Sequence, residues 1–161
     1  ELFELAKRVK RVTDKYYVPL IINDRLDICL AVDAAGVHLG QTDLPCSEAR
    51  RILGAEKIIG VSAATPEEAA KAQSDGADYL GVGAVFATST KTNTRPVTAE
   101  TIRAIRSAVD IPFVVIGGVN SENISGLHGL GINGAAVISA IISQPDITAA
   151  ARKMRQAAER L

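Results

Sequence analysis

Parallel βα units closed into a (βα)8, or TIM, barrel are the α/β fold that this sequence predicts, with six of the eight units present in the chain. Three observations carry that prediction. Short runs rich in Val and Ile alternate with amphipathic segments roughly every 20 residues, which is the pattern of βα units. The runs are continuously apolar rather than alternating, as strands buried on both faces of a parallel sheet are. Polar residues and glycines gather just past the runs, as expected where loops at one end of a barrel surround a single mouth.

The elements follow in order. "ELFELAKRVKRV" opens the chain in helical phase, with Leu2, Leu5, Val9 and Val12 on one face. Strands are predicted at "VPLIIND" (18–24), "GVHLG" (36–40), "KIIGVS" (57–62), "YLGVGAVF" (79–86), "IPFVVIGGV" (111–119) and "AAVISAI" (135–141). Helix starts lie between them. The clearest is "TPEE" at 65–68, with Thr65 as N-cap, Pro66 at the first helical position and Glu68 completing a capping box. Ser47, Thr98, Ser121 and Asp146 head weaker starts of the same kind, and a last helix is expected over roughly 147–161. The barrel is preferred to a doubly wound sheet because "GVG" (81–83) and "GG" (117–118) suit backbone that approaches a ligand closely. "GVGAVF" fails the G-x-G-x-x-G fingerprint at its last position, which disfavours a dinucleotide site. The chain starts without Met and inside a helical pattern. With six units against eight, the expectation is a single domain over 1–161 that lacks two strands and the first helix at its N-terminal side.

Composition excludes several classes of function. Lys+Arg 18 balance Asp+Glu 18, so there is no basic surplus to hold nucleic acid. The longest purely apolar stretch, "AAVISAII" at 135–142, falls far short of the roughly 20 residues that cross a bilayer. Cys29 and Cys46 form no CxxC and have no neighbouring His cluster, so they read as small packed hydrophobes in a reducing cytoplasm. No Ser/His/Asp arrangement stands out, and a homo-oligomer is compatible with the sequence.

The candidate site residues all lie just past predicted strands. Asp24 and Asp43 either share one hard cation, as Mg²⁺ shares carboxylates, water and substrate phosphates, or open a turn and cap the next segment. The Ser62 hydroxyl either donates to a ligand phosphate or bonds the following backbone. In "FATSTKTNTRP" (86–96), Thr88, Ser89 and Thr90 offer neutral donors and Lys91 a movable point charge; a solvated connection is the competing reading. This connection is long, and long ordered loops lean toward function. If two strands are missing, Gly117 and Gly118, with "VIS" at 137–139, stand where barrels place a phosphate site, after strands seven and eight; the competing reading is that the two glycines mark only tight packing. His38, inside a strand, reads as a satisfied interior group and His128 as a surface residue. Together these residues describe a mouth for phosphorylated small molecules and Mg²⁺, without an evident general base.

"PLIINDR", "GVHLGQTDLP", "IIGVS", "DYLGVGAVFATSTK", "VVIGGV" and "VISAI", in this order, resemble the thiamine phosphate synthase family from Pro19 onward. The resemblance implies a Mg²⁺-dependent transferase that joins hydroxymethylpyrimidine diphosphate to thiazole phosphate, giving thiamine phosphate and diphosphate. It implies that Asp24 and Asp43 hold Mg²⁺, that Asn23, Ser62 and Lys91 contact the pyrimidine diphosphate, and that Lys91 and Ser62 are the catalytic pair. Thr88, Ser89 and Thr90 would bind the thiazole phosphate, with Gly118, Ile138 and Ser139 completing that pocket. It also implies a preceding βαβ portion whose Gln-x-Arg-x-Lys stretch grips diphosphate, which no segment here replaces. A thiazole tautomerase-like relative shares "INDR" but lacks the paired "Q-D" and "T-x-T-K" features; a non-catalytic phosphate-binding barrel is the third reading.

Overall fold

Six short strands separated by helices occur among the described residues, and every pairing whose register is defined within the two units below is parallel. The structure is a computed structural model and describes residues 1–87, 96–159 and 161. Its contacts divide the chain into two units, one of Glu1–Ser62 and Ala72–Tyr79, the other of Ala63–Lys71 and Leu80–Leu161.

The first unit begins with α1 (Leu2–Lys15), whose buried residue is Ala6; Leu2, Leu5, Val9 and Val12 on the predicted apolar stripe are exposed. Then come β1 (Ile21–Asn23), α2 (Leu26–Ala31), β2 (Gly36–Leu39), α3 (Cys46–Leu53) and β3 (Ile58–Ala63). Asn23 pairs with His38, and His38 with Gly60, so the ends of β1 and β2 are level with the middle of β3. Val37, Leu39, Ile59 and Ala49 bury completely or nearly so, and Cys29 and Cys46, neither in a disulfide, are buried as well. Burial pushes the Cys29 thiol above its ordinary pKa, as expected of a cysteine used as an apolar filler. The turns at the foot of the strands are tied by Arg50. Its guanidinium donates to the carbonyls of Gly54, Lys57 and Gly76 and pairs with Asp78 at 2.6 Å. Asp78 in turn accepts from the Ile59 N–H at 2.7 Å.

α4 (Pro66–Ser74) and β4 (Tyr79–Gly83) are divided between the units. The second unit continues with α5 (Ala99–Ala108), β5 (Phe113–Ile116), a 3-10 helix (Ile124–Leu127), β6 (Gly134–Ala136), α6 (Ser139–Ile142) and α7 (Ile147–Ala158). Leu80, Val82, Phe113, Val115, Ile102 and Ile105 form its interior. Thr98 and Asp146 cap α5 and α7 as expected, accepting from Thr101 N–H and Ala149 N–H. The Thr65 hydroxyl accepts from Glu68 N–H, but the Glu68 carboxylate reaches one residue further back than a capping box requires, to Ala64 N–H at 2.7 Å.

Apart from elements shorter than predicted, such as β4 ending at Gly83 rather than Phe86, three stretches differ from the sequence prediction. α3 starts at Cys46, so Ser47 lies inside its first turn rather than capping it. No α-helix follows Ser121: Asn120 accepts from the Glu122 and Asn123 N–H groups, and the chain closes into a 3-10 turn instead. "AAVISAI" is a strand only to Ala136 and turns helical at Ser139, since a short apolar run fits either state by periodicity. The alternating α/β order and parallel pairing are as predicted; the described residues hold six strands, not the eight of a closed barrel. No described helix is long and apolar enough to cross a membrane.

Candidate functional site

In the first unit the polar residues converge at the carboxyl ends of β1, β2 and β3. Asn23 ends β1 and Asp24 follows it, and both are exposed. Asp24 adopts a left-handed backbone, φ 62°, while its N–H donates to the His38 carbonyl at 2.8 Å. Aspartate is among the few residues that tolerate this conformation, and the bond fixes the bend that carries its carboxylate past the sheet. Beyond β2, the Asp43 carboxylate accepts from Gly40 N–H at 2.6 Å through Oδ2. Asp43 thus closes the turn before it and does not cap the next segment, where α3 starts after Pro45, and Oδ1 is left as a hard oxygen donor. Among the described residues no three or more His, Cys, Asp or Glu side chains group as a metal centre. Two carboxylates nevertheless suit Mg²⁺, which keeps several waters and takes the rest of its shell from substrate phosphate.

Ser62 is the best-built predicted position. Its hydroxyl lies 3.0 Å from His38 Nε2, and its carbonyl accepts from the Gln41 side-chain amide at 2.6 Å. The other ring nitrogen of His38, Nδ1, lies 3.0 Å from Tyr79 Oη, with the two rings 5.5 Å apart. Burial raises the Tyr79 phenol above its ordinary pKa, so it stays protonated through the neutral range. Sequence reasoning missed His38 and Gln41 as neighbours of Ser62, and Tyr79 as the neighbour of His38. One signal was legible: parallel pairing of two consecutive apolar runs puts His38 beside Gly60, two residues before Ser62.

The second unit carries the other predicted residues. Gly117 and Gly118 both have positive φ, 97° and 66°. Val85 N–H donates to Ile116 O and Phe86 N–H to Gly117 O, both at 3.0 Å, which ties the segment after β4 to the loop after β5. A Cβ on Gly118 would stand 2.4 Å from the Ala87 carbonyl oxygen. Asn123 braces the same loop by donating its side-chain amide to Gly118 O at 2.9 Å. Ile138 caps α6 and Ser139 opens it; both are exposed, after β6. Thr88, Ser89, Thr90 and Lys91 lie outside the described residues, although the described chain leads up to them at Ala87 on the glycine loop.

Parallel strands with hydroxyls, carboxylates and glycine backbone at their carboxyl ends define an α/β protein suited to phosphorylated small molecules. Comparison with known proteins makes this specific. Residues 1–141 match the family described as Thiamine monophosphate synthase, and the chain belongs to that family. It is 50% identical over 161 residues to the thiamine-phosphate synthase of Clostridium botulinum (strain Eklund 17B / Type B), covering 100% of this chain and 76% of the relative. To that of Ruminiclostridium cellulolyticum it is 56% identical over 154 residues, covering 96% and 73%. The solved thiamine phosphate pyrophosphorylase from Pyrococcus furiosus superposes with a TM-score of 0.90 at 39% identity, covering 98% of this chain and 75% of that one.

Proposed function

We propose that the chain is a thiamine-phosphate synthase: a transferase of thiamine biosynthesis that joins hydroxymethylpyrimidine diphosphate to thiazole phosphate, releasing diphosphate. The observation that carries this reading is 50% identity along the entire chain to a curated synthase. Its six βα units then belong to an eight-fold barrel working in the cytoplasm on small phosphorylated substrates, a reading supported by the superposition on the Pyrococcus furiosus enzyme.

The bond between the pyrimidine methylene carbon and the diphosphate oxygen breaks, with both electrons leaving on oxygen. The resulting methylene cation is stabilised by the electron-rich ring, and the thiazole nitrogen lone pair then forms the new C–N bond. No proton need be abstracted at the reacting carbon, which fits a site with no evident general base. The chain's task is to bind and to stabilise charge growing on the leaving group. Asn23, Ser62 and Lys91 are assigned to the diphosphate. Thr88, Ser89 and Thr90, with Gly118, Ile138 and Ser139, are assigned to the thiazole phosphate, whose anchoring supplies orientation. Asp24 and Asp43 are the residues that would hold Mg²⁺. When bound, the cation neutralises the departing diphosphate.

The test is incubation of the protein with both phosphorylated substrates and Mg²⁺. Thiamine phosphate and diphosphate should form in equal amounts; substrate binding with no condensation would replace this reading with that of a ligand-binding barrel.

A further inference from the structure

The imidazole of His38 is bracketed by two hydroxyls, Tyr79 Oη on Nδ1 and Ser62 Oγ on Nε2, each at 3.0 Å. A neutral imidazole has one N–H and one bare nitrogen, so two arrangements are open. In one, Tyr79 donates to Nδ1 and the Nε2–H donates to Ser62, leaving the serine proton unused. In the other, Ser62 donates to Nε2 and the Nδ1–H donates to Tyr79, which consumes the serine proton inside the protein. The chemistry favours the first. A phenol is a stronger acid than an aliphatic alcohol and so the better donor to a basic ring nitrogen. The aliphatic oxygen of serine is the better acceptor for the remaining N–H. Each bond is then made by its better-matched partner.

The fold is shaped to hold the phenol there. Gly60, the residue paired with His38 across β2 and β3, leaves a notch in which the Tyr79 ring lies. A Cβ at position 60 would stand 2.1 Å from Tyr79 Cζ and 2.4 Å from Oη. The Gln41 amide clamps the Ser62 carbonyl at 2.6 Å, which fixes the backbone beneath the hydroxyl.

We propose that Tyr79 is a positioning residue that holds His38 in its Nε2–H tautomer, so that the Ser62 hydroxyl accepts from His38 and keeps its own proton to donate to an anionic oxygen of the bound diphosphate. The second half rests on the reading of Ser62 as a diphosphate contact. The first half does not.

Nitrogen-15 NMR of the imidazoles separates the two. The chain has 2 histidines, and His128→Gln assigns the His38 signals. The neutral His38 ring should show a protonated Nε2 and a bare Nδ1, and Tyr79→Phe should shift the population toward the Nδ1–H form. A wild-type ring protonated on Nδ1, or a pattern unchanged by Tyr79→Phe, overturns the proposal. In the synthase assay, Tyr79→Phe and Ser62→Ala should each lower kcat/KM for the pyrimidine diphosphate by about tenfold, the worth of one hydrogen bond to a charged group. The double variant should be no worse than Ser62→Ala alone, and KM for the thiazole phosphate should stay the same. If Ser62→Ala keeps full activity while the tautomer responds to Tyr79→Phe, the diphosphate contact is overturned and the tautomer control by Tyr79 is upheld.

Discussion

Gly60 and Tyr79 compete for one volume: a Cβ built on the glycine would sit 2.1 Å from the tyrosine Cζ, well inside contact distance. The aromatic ring is seated only because the strand beneath it has no side chain. Gly60→Ala should therefore expel the ring and break its bond to His38. The general gain from replacing a strand glycine is roughly 0.5–1 kcal/mol, against about 1–3 kcal/mol for overpacking. The net expectation is a loss of about 1–2 kcal/mol, read as a lower urea midpoint at unchanged slope. An unchanged midpoint would mean that the ring moves aside freely.

Asp24→Asn and Asp43→Asn test the assignment of Mg²⁺. Asparagine tolerates the left-handed backbone at position 24 and can still accept from Gly40 N–H at position 43, so both variants should fold. Activity should fall by about a hundredfold in each, with partial recovery at raised Mg²⁺. Lys91→Ala should cost far more than Lys71→Ala on α4. Wild-type rates in both aspartate variants would remove the metal assignment, and equal effects at the two lysines would return residues 86–96 to the reading of a solvated connection.

Gly118→Ala places a Cβ 2.4 Å from the Ala87 carbonyl on backbone at φ 66°. The strain alone is about 1–2 kcal/mol. Because Ala87 leads into the Thr88 segment, KM for the thiazole phosphate should rise by about tenfold or more, with a smaller change for the pyrimidine substrate. The reverse selectivity would show that the glycine loop serves the other substrate.

Arg50→Lys keeps a charge but loses the planar fork that reaches Gly54, Lys57, Gly76 and Asp78 together. The part-buried carbonyls of Lys57 and Gly76 then lack this donor, at a cost of about 2–3 kcal/mol. Denaturation of the first unit followed by hydrogen exchange at the Ile59 amide provides the measurement. Protection equal to wild type would mean that water replaces the guanidinium at no cost.

The Asp27 carboxyl is held down to about 2 by its hydrogen bonds from the Arg25 guanidinium. A depressed carboxyl stabilises the folded state above the ordinary aspartate pKa and loses that contribution as pH falls through its folded value. Between about pH 4 and pH 2, wild type should therefore lose stability relative to Arg25→Gln, which has no such contribution to lose. Parallel stability curves across that window would show the pair to be energetically silent, as many exposed pairs are.

Much of this architecture was legible in the sequence. Continuous Val/Ile runs announced strands buried on both faces, and β3 and β4 each bury three consecutive residues. Thr98 and Asp146 announced helix starts because a short side-chain oxygen is the cheapest partner for a free N–H. Where the chain has several local options, the prediction failed. Ser121 could have capped a helix, but Asn120 captured the same N–H groups first. "VISAI" could have stayed extended, but it turned at Ile138.

By itself, then, the sequence determined the order and type of most of the elements, and through its motifs the family and the residues at the strand ends. Both are local properties, written in periodicity and in short runs of residues. Tertiary structure decided the relations among distant residues. Parallel register brought Gly60 beside His38, and the return of the chain along β4 laid Tyr79 into the notch. The physical reason is that a hydrogen bond spanning 41 residues, from His38 to Tyr79, leaves no periodic trace: it exists only once burial has fixed which strands are neighbours and in what register.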